Sequence, residues 1–168
     1  MTTNTLWTPV VSENLAALAD LSATDAQLLV ELETFAMAIA PAFQNAVFSR
    51  LGPYLLYVSP MEYELGKNAL EKWFIHLFRN AQTAGKSFPR ESSRTSTPPL
   101  HRKSGIPLRY LFCLQEVIFL YGKRVTLNSH NPERAFSAFQ KVLGLEFAFN
   151  QVYEELYISH LSELMLDD

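Results

Sequence analysis

Two long helical runs near the C-terminal end, residues 108–124 and 133–164, constrain the fold of this chain more than any other feature. Apolar side chains recur along the second run at helical spacing, in two separate stripes. One stripe comprises Phe136, Phe139, Leu143 and Phe147, and the other comprises Val142, Leu145, Phe149, Val152 and Leu156. A helix that packs against a single core needs only one stripe. We therefore expect a symmetric dimer through the last two long helices, the alternative being a helix pair that one chain encloses fully.

The remainder of the chain also predicts helices. Helical runs cover residues 13–21, 26–39, 41–51 and 64–80, and short turns and loop cover residues 54–62. Ser22, Thr24 and Asp25 offer N-cap chemistry before the second run, and Pro41 suits the first turn of the third. The side chains predicted to face the core are Leu28, Leu29, Leu32, Phe35 and Ile39, then Leu65, Ala69, Leu70, Trp73, Leu77 and Phe78. The pattern predicts an all-α protein of six to eight helices, with a flexible arm over residues 1–12 and one domain over residues 13–168.

Composition excludes several classes of function. A net charge of −3 leaves no basic excess for nucleic acid. No run predicts a signal peptide or a membrane span, so we expect a cytoplasmic protein. The single cysteine, Cys113, excludes an intramolecular disulfide and Cys-based metal sites, and its apolar neighbours predict a buried thiol. No catalytic motif is visible, so we expect no enzyme.

His101 stands out among the four histidines because of its setting. It lies between a polar stretch, residues 81–104, where basic residues outnumber acidic ones, and a Gly105-Ile106-Pro107 break before an apolar helix. A single imidazole is enough to hold a haem iron, since the porphyrin supplies four nitrogens. Basic neighbours such as Arg102 would offset the charge of the haem propionates. On residue type alone, however, a single histidine in a polar loop is usually just solvated.

The segment HRKSGIPLRY, residues 101–110, resembles the signature of globin-coupled sensors. In that family a proximal histidine precedes a glycine, an aliphatic residue, a proline and an aromatic pair. The run AFQKVLGLEFA, residues 138–148, resembles the family's last helix, and residues 21–32 and 66–78 resemble its opening and distal helices. The resemblance covers roughly residues 15–161. It implies a globin fold, haem b bound through His101, sensing of O₂, CO or NO, a homodimer and a downstream signalling partner.

The same resemblance names a haem pocket. Phe48 falls at the position of the family's distal tyrosine, Leu70 at that of its distal leucine, and Trp73 at the next distal position. Arg102 and Tyr110 complete the predicted set beside His101. Phe and Leu cannot donate a hydrogen bond to bound O₂, and Trp does so only through its indole N–H. Such a pocket favours CO or NO.

Two other functions stay open. Pro98 and Pro99 interrupt the helix before His101 where the family keeps it continuous, which favours a haem-free module for dimerisation or partner docking. The second is a bilin-binding protein, because phycobiliproteins share the globin fold. Cys113 does not stand in a recognisable motif for attaching an open-chain tetrapyrrole.

Overall fold

The computed structural model describes residues 15, 17–55, 58–84 and 108–166, with the backbone alone for residues 108 and 152–166. Every regular element within these ranges is helical, which confirms the all-α prediction. The α-helices are α1 (Ala23–Val30), α2 (Glu33–Leu51), α3 (Pro60–Arg79), α4 (Leu108–Cys113), α5 (Gln115–Thr126) and α6 (Pro132–Leu166), and 3₁₀ turns cover Gly52–Tyr54 and Ala81–Thr83. The predicted arm and residues 13, 14 and 16 of the predicted helix over residues 13–21 lie outside the described residues. Residues 15, 17 and 18 of that helix are helical, and residues 19 and 20 form a turn. The globin topology stays a prediction.

Side-chain caps begin α1 and α3. The Ser22 hydroxyl accepts from the Asp25 N–H at 3.1 Å, and the Asp25 carboxylate accepts from the Ser22 N–H at 3.3 Å. Ser59 and Glu62 form the same reciprocal pair before α3, where Pro60 occupies the first turn. Each pair satisfies backbone N–H groups that the first helical turn leaves without partners. Because of the second cap, α3 begins four residues before the predicted start at residue 64.

The prediction of a helix beginning at Pro41 is wrong. The chain bends by 64° between α1 and α2, at Glu31 and Leu32, and α2 then continues through Pro41. Proline removes one helical hydrogen bond, but Pro41 and Met37 are exposed, so solvent can reach the carbonyl that loses its partner. The bend also changes which side chains face inward. Phe35, predicted to face the core, is exposed.

The predicted helix over residues 108–124 is divided. It stops at Leu114, whose N–H donates to the Tyr110 and Leu111 carbonyls, and α5 begins at Gln115. Cys113, at the end of α4, is exposed, so the prediction of a buried thiol is wrong. The predicted core residue Leu65 in α3 is also exposed. In both cases the local apolar run correctly predicted a helix but did not predict whether that side chain faces the core or the solvent.

Aromatic rings form the centre of the core between α2, α3, α5 and α6. Phe43 stacks on Phe74 with ring centroids 4.3 Å apart, and Phe78 stacks on Phe139 at 5.2 Å. Phe74 joins the two pairs, with its ring edge-on to Phe78 at 5.6 Å. All four side chains are fully buried, so α2, α3 and α6 are held against one another by ring contacts.

The second apolar stripe of α6 packs inside the chain where its side chains are described. Val142 and Leu145 are buried, and Phe149 is half-buried. Val152 and Leu156 lie where only the backbone is described. A single chain therefore buries or half-buries the described side chains of both stripes. This is the arrangement that the sequence offered as the alternative to a dimer at this face. The dimer itself stays a prediction.

Among the described helices, none by itself is long and apolar enough to cross a membrane. The bent pair of α1 with residues 33–54 reaches that length and composition only when its two parts are taken together.

Asp25 links α1 to α6, and this link predicts a pH-dependent stability. Its Oδ1 accepts from Arg134 Nε at 2.7 Å. Burial raises the pKa of Asp25, but hydrogen bonds from Arg134 and Ser22 outweigh that effect and hold the pKa below its ordinary value. We expect Asp25→Asn to lower the free energy of unfolding by about 1–2 kcal/mol at pH 7. A lowered folded-state pKa stabilises the fold above the unfolded pKa, and this contribution is lost as the pH falls through the folded value.

Urea unfolding of both proteins at pH 7 and at about pH 3 tests this expectation, because the difference should shrink at the lower pH. Asp20→Asn is the matched control, since the Asp20 side chain is almost fully exposed and asparagine tolerates its positive φ of 52°. An Asp25→Asn effect of equal size at both pH values would contradict the assignment.

Candidate functional site

The residues predicted for the distal pocket come from two helices, and all are buried in the core. Phe48 on α2 and Leu70 and Trp73 on α3 all belong to one buried apolar cluster. Tyr110 on α4 is partly buried and packs against the same cluster. His101 and Arg102 lie outside the described residues, as do Pro98 and Pro99. Four of the six predicted residues thus belong to the core or pack against it, and the predicted iron ligand stays a prediction.

Trp73 has a specific hydrogen-bonding partner that the sequence did not indicate. Its indole Nε1–H donates to Oε1 of Glu146 on α6 at 3.2 Å, and its ring stacks on Phe147 with centroids 6.3 Å apart. The Trp73 side chain is fully buried. A buried indole normally needs a partner for its N–H, and Glu146 supplies it. The single N–H of Trp73 is therefore already committed.

Asn150 extends this polar contact along α6. The residue is fully buried, and its Nδ2 donates to the same Glu146 Oε1 at 3.3 Å. Its own Oδ1 is buried and has no hydrogen-bond partner among the described residues. Glu146 thus receives two neutral donors on one oxygen while lying half-buried. The Asn150 oxygen lacks a donor, and the Glu146 carboxylate has no cationic partner among the described residues. Together they make this region electronegative.

Phe48 and Leu70 give apolar walls. Leu70 is fully buried, and Phe48 is almost so, with its ring edge-on to Tyr63 at a centroid distance of 4.9 Å. Neither side chain donates a hydrogen bond. Because the Trp73 N–H is directed to Glu146, none of the three predicted distal residues keeps a free donor.

The described residues can be compared with what a haem requires. Apolar walls such as Phe48 and Leu70 suit a porphyrin face. No group of three or more metal-ligating side chains occurs within the described ranges, but a haem needs only one protein ligand. The described histidines are placed differently: His130 is exposed, and His76 Nδ1 lies 3.0 Å from Asn80 Nδ2. The ligand that would hold the haem iron is therefore the predicted one, His101.

Glu146, Asn150 and the Trp73 contact were missed by reasoning from the sequence. One signal was present, because an acidic residue stands at the centre of a leucine-rich helix where a charge is unexpected. The identity of its partner was not readable, since 73 residues separate Trp73 from Glu146.

Comparisons of the chain with family models, with curated proteins and with solved structures found no match.

Proposed function

We propose that this chain is a haem-binding sensor globin in which His101 is the iron ligand. The observation that carries the proposal is that residues selected from the sequence are part of, or pack against, the buried core. Phe48, Leu70 and Trp73 lie in one buried cluster, and Tyr110, at the end of the segment that begins with His101, packs against it. A bound haem would supply an iron that takes a diatomic gas on the face opposite the protein ligand.

The apolar walls favour one class of gas. Phe48 and Leu70 keep water away from the distal side, and the Trp73 N–H is engaged by Glu146. O₂ gains most from a hydrogen-bond donor, because its bound form is the most polarised, whereas CO and NO depend on one less. We therefore propose CO or NO, in preference to O₂, as the sensed ligand.

The dimer is part of this proposal. Large apolar side chains stay exposed along α4 and α5, and Phe112 and Leu120 are 41% and 50% exposed. Leu127, directly after α5, is 61% exposed. A second copy packed against these helices would remove that surface from water. A change at the haem would then reach a downstream signalling partner through the shared helices.

A haem-free docking module is the second candidate, and the packing of Trp73 favours it. A fully buried indole that stacks on Phe147 and bonds to Glu146 is a complete core arrangement without any ligand. In this function the helical core acts as a scaffold, and the exposed apolar side chains of α4 and α5 bind a partner protein.

A titration of the purified protein with haemin separates these functions. We expect a Soret band that grows until one haem is bound per chain and then saturates. A protein that stays spectroscopically free of bound haem while keeping its helical circular dichroism contradicts the haem proposal and leaves the docking module. A long-wavelength visible band without a dominant Soret band in protein purified from its native source would instead indicate a bilin.

A further inference from the structure

A cleft of about 190 Å³ lies between the C-terminal part of α3 and the middle of α6. Its apolar lining includes Leu77, Val142 and Leu145, and its polar lining includes His76, Thr83 and Glu146. None of the residues proposed for the haem pocket lines this cleft. Its volume is several times the ~30 Å³ of one water molecule, so it has room for a small organic group.

Glu146 gives the cleft its charge. Both hydrogen bonds to this carboxylate, from Trp73 and Asn150, end on Oε1. Oε2 accepts no hydrogen bond from the described residues, and none of the ion pairs among them involves Glu146. The Glu146 carboxylate is thus half-buried, with neutral donors and no cationic partner among the described residues, in a region of reduced solvation. A cation in the cleft would compensate that charge.

Two other polar residues of the lining, Thr83 and Asn80, offer acceptors. The Thr83 hydroxyl donates its proton to the Asn80 carbonyl at 3.0 Å, which leaves the lone pairs of its oxygen available. Asn80 also lines the cleft, and its Nδ2 lies 3.0 Å from His76 Nδ1, so its amide oxygen is free of that contact. An ammonium group has three N–H donors and no acceptor, which matches such a lining.

A metal ion fits the cleft less well. Glu146 and His76 are the two ligating side chains in its lining, and the described residues contain no group of three. Protein metal sites generally use three or four ligands. The apolar side chains of the lining, Leu77, Val142 and Leu145, also have no role with a bare ion but would pack against an organic body.

We propose that this cleft binds a small organic cation, namely a primary ammonium group carried on a short apolar or aromatic body. The ammonium group pairs with Glu146 Oε2, and the body packs against Leu77, Val142 and Leu145. The Trp73 and Asn150 hydrogen bonds hold the carboxylate in place, so both act as positioning residues. This site is independent of haem and stands whether or not His101 binds iron.

Ligand-detected NMR titrations with benzylamine, which is protonated at pH 7, test the proposal. Benzyl alcohol and benzoate serve as the neutral and anionic probes of similar shape. We expect saturable binding of benzylamine, weaker binding of benzyl alcohol and none of benzoate. In Glu146→Gln, which can still accept from Trp73 and Asn150, benzylamine affinity should fall by about tenfold or more, to the level of benzyl alcohol. Glu133→Gln, an exposed change on the same helix, should leave the affinity unchanged.

A second variant keeps the test decisive if Glu146→Gln fails to fold. Ala84 also lines the cleft and is half-buried, so Ala84→Phe extends a ring into the cleft without touching the carboxylate. We expect this variant to lose both benzylamine and benzyl alcohol. No saturable binding to the unaltered chain, equal benzylamine affinity in folded Glu146→Gln, or undiminished binding in Ala84→Phe would each overturn the proposal. Because no probe contains iron, a colourless protein leaves these outcomes unaffected.

Discussion

In His101→Ala we expect the Soret band of the haemin-loaded protein to disappear or to shift to that of weakly held, unligated haem. The imidazole is the one axial donor that the proposal assigns, and the apolar side chains of Phe48 and Leu70 offer no substitute. Apolar walls still retain some haem by burial alone, so the position and sharpness of the band are better measures than the amount of pigment. The measurement is an absorption spectrum of equal protein concentrations after haemin loading and removal of the excess.

Two controls separate a lost iron ligand from a lost fold. His130→Ala removes an exposed histidine and should leave the Soret band intact. Free imidazole added to His101→Ala should restore the band, because it can occupy the space that the side chain leaves. An unchanged Soret band in His101→Ala would refute the ligand assignment. Loss of helical circular dichroism together with the band would assign His101 a structural role instead.

Gly122→Ala is expected to destabilise the protein strongly. Gly122 is buried in α5, and a Cβ at this position would overlap the ring of Phe139. That ring cannot move aside, because it is fully buried and stacked between Phe78 and Phe136. Alanine favours a helix over glycine by about 1 kcal/mol, but overpacking a core costs about 1–3 kcal/mol and more where the neighbour is rigid. We expect a net loss of about 2 kcal/mol.

Gly144→Ala is the matched control and should have the opposite sign. Gly144 is an exposed position in α6, and a Cβ there would meet nothing within 4 Å. The same substitution then keeps only the gain in helix propensity, and stability should rise by about 0.5–1 kcal/mol. Urea unfolding of the three proteins by circular dichroism gives both differences. A Gly122→Ala protein as stable as Gly144→Ala would show that α5 and α6 do not approach each other this closely.

Local chemistry explains what was predictable from the sequence. The spacing of apolar residues identified the helices because residues three and four positions apart lie on the same face in successive turns. Ser22 and Asp25 marked a helix start because their side chains bond backbone groups within four residues. Leu70 and Trp73 were placed in the core for the same reason, and both are fully buried. All of these interactions are complete within one or two helical turns.

The places where a helix ends within an apolar run were harder to predict from the sequence. The residues around Leu32 and Leu114 are as helix-compatible as their neighbours, yet one helix ends and another begins at both positions. Pro41, the stronger local signal, lies inside a continuous helix. The propensity differences at such positions are a few tenths of a kcal/mol, so the packing of α2 on α3 and of α4 on α6 outweighs them.

The sequence alone determined that the two C-terminal runs form helices with two apolar faces, and that each face needs a partner. Only the tertiary structure decided which partner each face has. Val142 and Leu145 pack inside the chain, Glu146 receives the indole N–H of Trp73, and Gly122 lies against Phe139. The reason is physical: helix formation depends on residues three and four positions apart, whereas these contacts join side chains far apart in the chain and depend on how the helices pack.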